Sequence, residues 1–385
     1  MRRILILAAL ALPACVEPMP LPDPCPAEQI QACRVDQQAC AFEDGAPVCV
    51  ACSSGSAVDS TGRCVPIPGT ALVHSFPENV SAPGQELLGD CRSWTLGNDT
   101  ELWVRAVEID QDEASHHSNW TFVPEDAFAG PDGNWNCDSR DYDEISAALM
   151  GGVIYAQSTQ ATHEVQLFPE GAAVRIPPRS KIISDIHVLN LGSEEIRGHM
   201  DFRLYTMPRE EVSIPLAPIH FSYRALTIPA RTESRFQTTC ELARPFEATF
   251  ERPHDMRLFY ALPHTHALGS RVFLQAVGGA RDGEMLFDVR GYNGEARGLS
   301  YAPPLDLTGI ESIRFGCEFT NPRADVIGWG FGDQEMCDFL GFIESPAALT
   351  SNVAESALGT PDGEMPVYEG TCQTFLIPWE DRFGS

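Results

Sequence analysis

Positive charge is what this chain lacks most. Its 385 residues include 26 Lys plus Arg against 54 Asp plus Glu, a formal charge of −28 at pH 7. Nucleic-acid affinity rests on a basic footprint that neutralises phosphates, so a nucleic-acid partner is excluded. Long apolar runs are also missing. The run Ile4 to Leu12 has nine residues, and a spanning helix needs about twenty. The sequences G-x-S-x-G, H-E-x-x-H and the P-loop are absent. Serine-hydrolase, zincin and nucleotide-binding chemistry therefore lack support. Helical periodicity is scarce, and Tyr142 to Met150 is its best short stretch. Hydrophobic residues make up 43% and charged residues 21%, which is enough for a buried core.

What is present begins with an export signal. Arg2 and Arg3 precede the apolar run, and Leu12-Pro13-Ala14-Cys15 follows it. This is the pattern of a secretory signal. The cysteine after a small residue reads as a bacterial lipobox, with Cys15 lipidated after cleavage. The other reading is ordinary secretion. The expectation is a signal over 1–14 and a lipid-anchored, Pro-rich tether over 15–24. The protein would then be an outer-membrane or cell-surface lipoprotein, otherwise periplasmic or secreted.

Without Cys15 twelve cysteines remain, in two groups of six. Cys25, Cys33, Cys40, Cys49, Cys52 and Cys64 lie in a segment with few large apolar residues. Such a segment cannot build a core alone, so cross-links must hold it. Cys49-Val-Ala-Cys52 has zinc-like spacing, but no His lies nearby and the compartment is oxidising. Disulfides and zinc both stand as readings of a module over 25–66. The second group is Cys91, Cys137, Cys240, Cys317, Cys337 and Cys372.

Between these cysteines run short β-type segments: Leu102 to Val107, Ile182 to Leu189, Phe202 to Tyr205, Arg257 to Leu262, Arg271 to Ala276 and Ser312 to Phe319. Turn signals such as Pro131-Asp132-Gly133 and Asp282-Gly283 punctuate them. Short strands with Gly/Pro punctuation predict sandwiches or jelly rolls. The fold class expected is all-β: two tandem jelly-roll β-sandwich domains, 70–212 and 213–385, preceded by the small disulfide-rich module. The Pro-rich stretch Met207 to Pro218 reads as a hinge between them.

The histidines cluster. His116 and His117 are adjacent, His187 sits in an apolar run, and His264-Thr265-His266 alternate. Imidazole is the commonest metal ligand. Residues i and i+2 of a strand share a face, so His264 and His266 can chelate one ion. Adjacent histidines point to opposite faces and need an irregular backbone to do so. A single histidine in an apolar run is more often a hydrogen-bonded core residue. Met336, between Glu335 and Cys337, is either a gap-filler or a soft ligand that favours Cu(I). His74, His163, His199, His220 and His254 read as surface or structural residues, with His199 and His254 as opportunistic ligands. The acidic run Glu108 to Glu113 reads as a solvated loop, with calcium as the other reading.

In order, the His116-His117 pair, the I-H-V-L-N strand at His187, H-T-H-x-L-G at His264 to Gly269 and the triplet Glu335-Met336-Cys337 resemble the type II copper, ascorbate-dependent monooxygenases. That family includes peptidylglycine α-hydroxylating and dopamine β-monooxygenases. The resemblance covers roughly residues 70 to 385. It implies an electron-transfer copper on His116, His117 and His187. It implies an oxygen-activating catalytic copper on His264, His266 and Met336, hence two coppers per chain with ascorbate as reductant and dioxygen as co-substrate. It places the two coppers far apart across a solvent-filled cleft, and it implies the disulfides Cys91–Cys137, Cys240–Cys372 and Cys317–Cys337.

The chain departs from the family at the substrate clamp. Leu262, Asp338 and Leu340 stand where peptidylglycine enzymes have Arg, Asn and Tyr. Losing a bidentate Arg disfavours a carboxylate. The expected function is therefore copper-dependent hydroxylation of a C–H bond in a small molecule or peptide other than a C-terminal glycine. The competing expectation is a copper-binding surface lipoprotein without activity. Asp338 reads either as an amine partner or as a solvated loop carboxylate.

Overall fold

The computed structural model describes residues 25–379 except 36, 60, 158–160, 191, 291–297 and 331–332. The signal, the tether and Cys15 lie outside the described residues.

The first described unit is the disulfide-rich module. A helix, Ala27–Val35, packs on the hairpin Gln38–Glu43/Ala46–Ala51. Asp44 and Gly45 both adopt positive φ (50° and 79°), as the tight Asp-Gly hairpin turn requires. Three disulfides, Cys25–Cys40, Cys33–Cys49 and Cys52–Cys64, stand in for a core. Cys49 and Cys52 sit in different disulfides, so the zinc reading of that pair is ruled out.

Two sandwiches follow. In the first, a five-stranded sheet runs in the order Gly152–Gln157, Ser115–Pro124, Ser180–Leu189, Glu86–Thr95, Gly133–Asn136. Strands including Leu102–Gln111, Ile196–Thr206 and Thr70–Ser81 face it. Phe76, Trp120, Phe122 and Phe202 fill the gap, with Trp120 stacked on Phe202 at 4.3 Å between ring centroids. The second sandwich closes around Phe221, Phe236, Phe315, Phe319 and Phe339. One disulfide, Cys91–Cys137, lies in the first sandwich. Cys240–Cys372 and Cys317–Cys337 lie in the second. Six disulfides belong to an oxidising compartment, in keeping with an exported protein. No described helix is long and apolar enough to cross a membrane.

The expected hinge is a correction. Only a short 3₁₀ turn, Arg209–Glu211, separates the sandwiches before the strand Ile214–Tyr223 begins. That strand pairs parallel with Ala172–Ile176 of the first sandwich and antiparallel with Asp338–Glu344 of the second. One sheet of eleven strands therefore runs through both. Prolines at 215 and 218 read as loop residues in sequence, but here they sit in a strand whose pairing is supplied from both sides.

The acidic run is a second correction. Glu108 lies mid-strand in Leu102–Gln111 and is fully buried. Its Oε1 accepts from Gly55 N–H of the module (2.7 Å) and lies 3.0 Å from His163 Nε2. Its Oε2 accepts from Tyr205 O–H (2.5 Å). Ser54 Oγ donates to Asp110, which also pairs with Arg203. Ligand atoms of Glu108, Asp110 and His163 lie within 4.8 Å of one another, but the Arg203 guanidinium already supplies the cation there. The cluster fastens the module to the first sandwich.

Burial alone would raise the Glu108 pKa. The hydrogen bonds from His163, Tyr205 and Gly55 and the nearby Arg203 charge nevertheless hold it below the ordinary carboxylate value. Its stabilisation is therefore full above the unfolded pKa of about 4.3 and fades as pH falls through the lower folded value. Glu108→Gln should flatten the acid limb of a stability–pH curve. Glu108→Ala should cost roughly 3 kcal/mol or more in chemical denaturation at pH 7, because three donors, Tyr205 among them buried, lose their acceptor. Wild-type stability in Glu108→Ala would refute the clamp.

Candidate metal centre

The strand Arg257–His264 lies antiparallel to Asp338–Glu344, with Leu262 opposite Leu340 and His264 opposite Asp338. The same register carried two residues further sets His266 opposite Met336. The strand ends at His264, however, and His266 belongs to the turn beyond it. Strand pleat is thus not what places His266. A carboxylate does it. Buried Glu335 accepts His266 N–H at Oε2 (2.8 Å) and Leu268 N–H at Oε1 (2.7 Å). The turn closes tightly enough that a Cβ on Gly269 would lie 1.9 Å from Thr265 Oγ1.

His264 and His266 stand edge to face, 5.3 Å between ring centroids. His266 Nδ1 is 2.8 Å from the Gln334 carbonyl. A carbonyl only accepts, so Nδ1 carries the proton, and a metal here would bond to Nε2. Met336 is buried, and its neighbour Cys337 is tied to Cys317. Two imidazoles and a thioether are a donor set that suits a soft ion such as Cu(I).

The other histidines meet on the first sandwich. His187 pairs with His117, but Val188 pairs with Ser115. His116 is therefore the extra residue of a bulge, the irregular backbone that adjacent histidines need. The side chains of His116 and His117 lie outside the described residues. His187 is buried, with Nε2 2.9 Å from Glu86 Oε1. The carboxylate accepts that proton and orients the ring. Burial lowers the His187 pKa, Glu86 opposes this, and the nearby His266 charge lowers it again. The neutral form, which binds metal, is thereby favoured.

The seam between these groups carries acid and imidazole. Burial, helped by Asp185, pushes Glu144 up to about 7. Burial likewise pushes Asp185 up to about 6, aided by Asp90 and Asp138. Asp338 corrects its solvated-loop reading: it is buried on a strand, with Oδ1 3.3 Å from His220 Nε2. Burial would raise its pKa, but hydrogen bonds from His220 and Ser222 hold it below the ordinary range. His220 is thus part of the seam rather than a surface histidine. His254 is occupied elsewhere, with Nε2 2.6 Å from the Ile310 carbonyl.

No family model matches the chain, and no curated protein matches it. Several solved viral jelly rolls are similar. The major capsid protein P2 of bacteriophage PM2 has a TM-score of 0.34 at 8% identity, covering 71% of this chain and 97% of that one. The PBCV-1 VP54 structure fitted into the virophage Sputnik has a TM-score of 0.27 at 7% identity, covering 72% and 94%. Such low scores say nothing about what this chain does.

These findings correct the expected membership in the copper monooxygenases. No family model and no curated relative carries the assignment. The chain is therefore not assigned to that family, nor called an enzyme, nor given ascorbate-driven hydroxylation. The packing points the same way. Leu262 is buried in the first core and Leu340 packs against it. Two of the three positions that form the clamp in peptidylglycine enzymes hold leucines of the first core, in line with the departure already seen in the sequence, and a shared sheet stands where a hinge was expected.

Sequence reasoning quoted Glu335 within a triplet but gave it no role, and it missed Glu86, Glu144 and Asp185. Nothing local marks them, because their partners lie far off in sequence. Two predictions follow from them. Glu335→Ala leaves the His266 N–H and the buried Leu268 N–H without their acceptor and should destabilise by about 2 kcal/mol or more in urea unfolding; no loss would mean the clasp is absent. A carboxyl whose folded pKa is raised binds its proton more tightly when folded, so stability falls as pH rises from about 4.3 towards the Glu144 value. Melting temperature should drop across that window, and less so in Glu144→Gln. Identical slopes would exclude Glu144 as the cause.

Proposed function

We propose that the protein is an exported metal-binding protein with two dissimilar ion sites, one on His116, His117 and His187, the other on His264, His266 and Met336. Copper is the ion that suits them, one per site. The observation that carries this reading is the Glu335 clasp, which brings His266 to the segment of Met336. When bound, such an ion supplies redox or storage chemistry. The chain's own part is to present neutral imidazoles whose second nitrogens are held by Glu86 and Gln334. Acidic groups in the seam favour a neutral or amine-bearing small molecule or peptide over a carboxylate as any further ligand. A lipid at Cys15 would hold the protein at the outer membrane or cell surface through the 15–24 tether.

Cu(I) titration against a competing chelator tests the ion sites. Wild type should take up two ions per chain, and His264→Ala and Met336→Ile one each. His187→Ala should lose the other. A wild type that competes for no Cu(I) refutes the reading, and uptake unaffected by all three substitutions places the ions elsewhere.

A further inference from the structure

Arg92 lies inside the first sandwich, fully buried, and none of its three side-chain nitrogens has a hydrogen-bond partner. Its nearest carboxylate oxygen, on Asp90, is 3.8 Å away, and the Phe76 ring centroid is 5.9 Å away. Asp112 adds a second negative charge in range. Asn79 Oδ1 is also buried without a partner. It lies with Asp112 Oδ2 against Gly198, where a Cβ would sit 2.7 Å from the first and 2.1 Å from the second. A guanidinium buried with all its donors unmet is too costly to stand alone. Flanked by two carboxylates, it does not suit an anion. Water, which both donates and accepts, suits it.

Asp112 does more than balance charge. Its Oδ1 accepts Ala114 N–H (2.8 Å), and its carbonyl accepts Ser115 N–H (3.2 Å). This shapes the turn that leads into the His116 bulge. The same turn is joined to the end of the His187 strand, since Leu189 N–H donates to Ala114 O (2.7 Å).

We propose that Arg92, Asp112 and Asn79 enclose ordered water inside the first sandwich, and that this hydrated cluster is a positioning device for the first metal site. It rests on the metal-binding reading for its consequence, though not for the cluster itself. Arg92 would act through Asp112 and the turn, without touching the ion.

The test uses Arg92→Met, which fits beside Phe76, and Asp112→Asn, which keeps the side-chain shape. Hydrogen exchange followed by mass spectrometry on peptides spanning 110–118 and 186–190 reads the turn directly. Cu(I) titration in a Met336→Ile background reads the first site alone. Each variant should speed exchange in those peptides at least tenfold, with exchange in the second sandwich unchanged, and should weaken first-site Cu(I) affinity about tenfold. Unchanged exchange in both variants overturns the proposal. Faster exchange with unaltered affinity overturns its positioning role. If the Met336→Ile parent takes up no Cu(I), the metal reading has failed and exchange alone decides the cluster. Should Arg92→Met fail to fold, Asp112→Asn decides.

Discussion

Everything at the candidate centre depends on one strand having neighbours in two sandwiches. Ile214–Tyr223 pairs with Ala172–Ile176 on one side and with Asp338–Glu344 on the other. Because side chains alternate along it, Phe221 enters the second core while His220 faces the seam. A slip of one residue would exchange them, putting an imidazole among phenylalanines. Burial of that alternation thus holds the register, and the register in turn places Asp338, His264 and the Met336 segment. His264 and Asp338 sit on the paired strands themselves, while His266 and Met336 lie just beyond their ends.

Two effects compete at each buried carboxylate, and the kind and charge of its partners decide which wins. Desolvation raises every one of them. Asp338 has two side-chain donors, His220 and Ser222, and ends below its ordinary value. Asp185 has one backbone donor, Gly89, and other carboxylates nearby, and ends near 6. Glu335 has backbone donors only and ends near 7. The seam therefore holds carboxylates of unequal basicity within one small region. That inequality follows from burial and from the kind and charge of the partners, not from residue type.

The fold was largely legible. Alternation and turn chemistry located Leu102–Gln111, Ser180–Leu189, Arg257–His264 and Ile310–Asn321 from their cores outward, and the stretch ending at Met150 did contain a helix, Glu144–Met150. The connection between the sandwiches was misread as a hinge because Pro215 and Pro218 carry a strong local signal. Their strand's partners come from 172–176 and 338–344, which no local window contains. Glu108 failed in the same way. A glutamate among acids reads as solvated until Tyr205, His163 and Gly55 are folded onto it. The histidine pattern could be seen, but the roles of Glu86 and Glu335 could not, since each is defined by a partner dozens of residues away.

A ligand pattern and a reaction are different kinds of information, and the packing of Leu262 and Leu340 shows why. Imidazoles and a thioether at set spacings state which ion a protein can hold, because softness and geometry belong to the ligands themselves. A reaction needs more: groups that bind a second molecule and orient it against the ion. Those groups must project into open space. Here the two leucines face each other across the strand pair, Leu262 buried in the first core and Leu340 packed against it. Replacing them by Arg and Tyr on this backbone would bury a charge and a hydroxyl rather than build a clamp. The difference from a clamp is therefore one of side-chain direction as well as chemistry, and short motifs carry no record of direction.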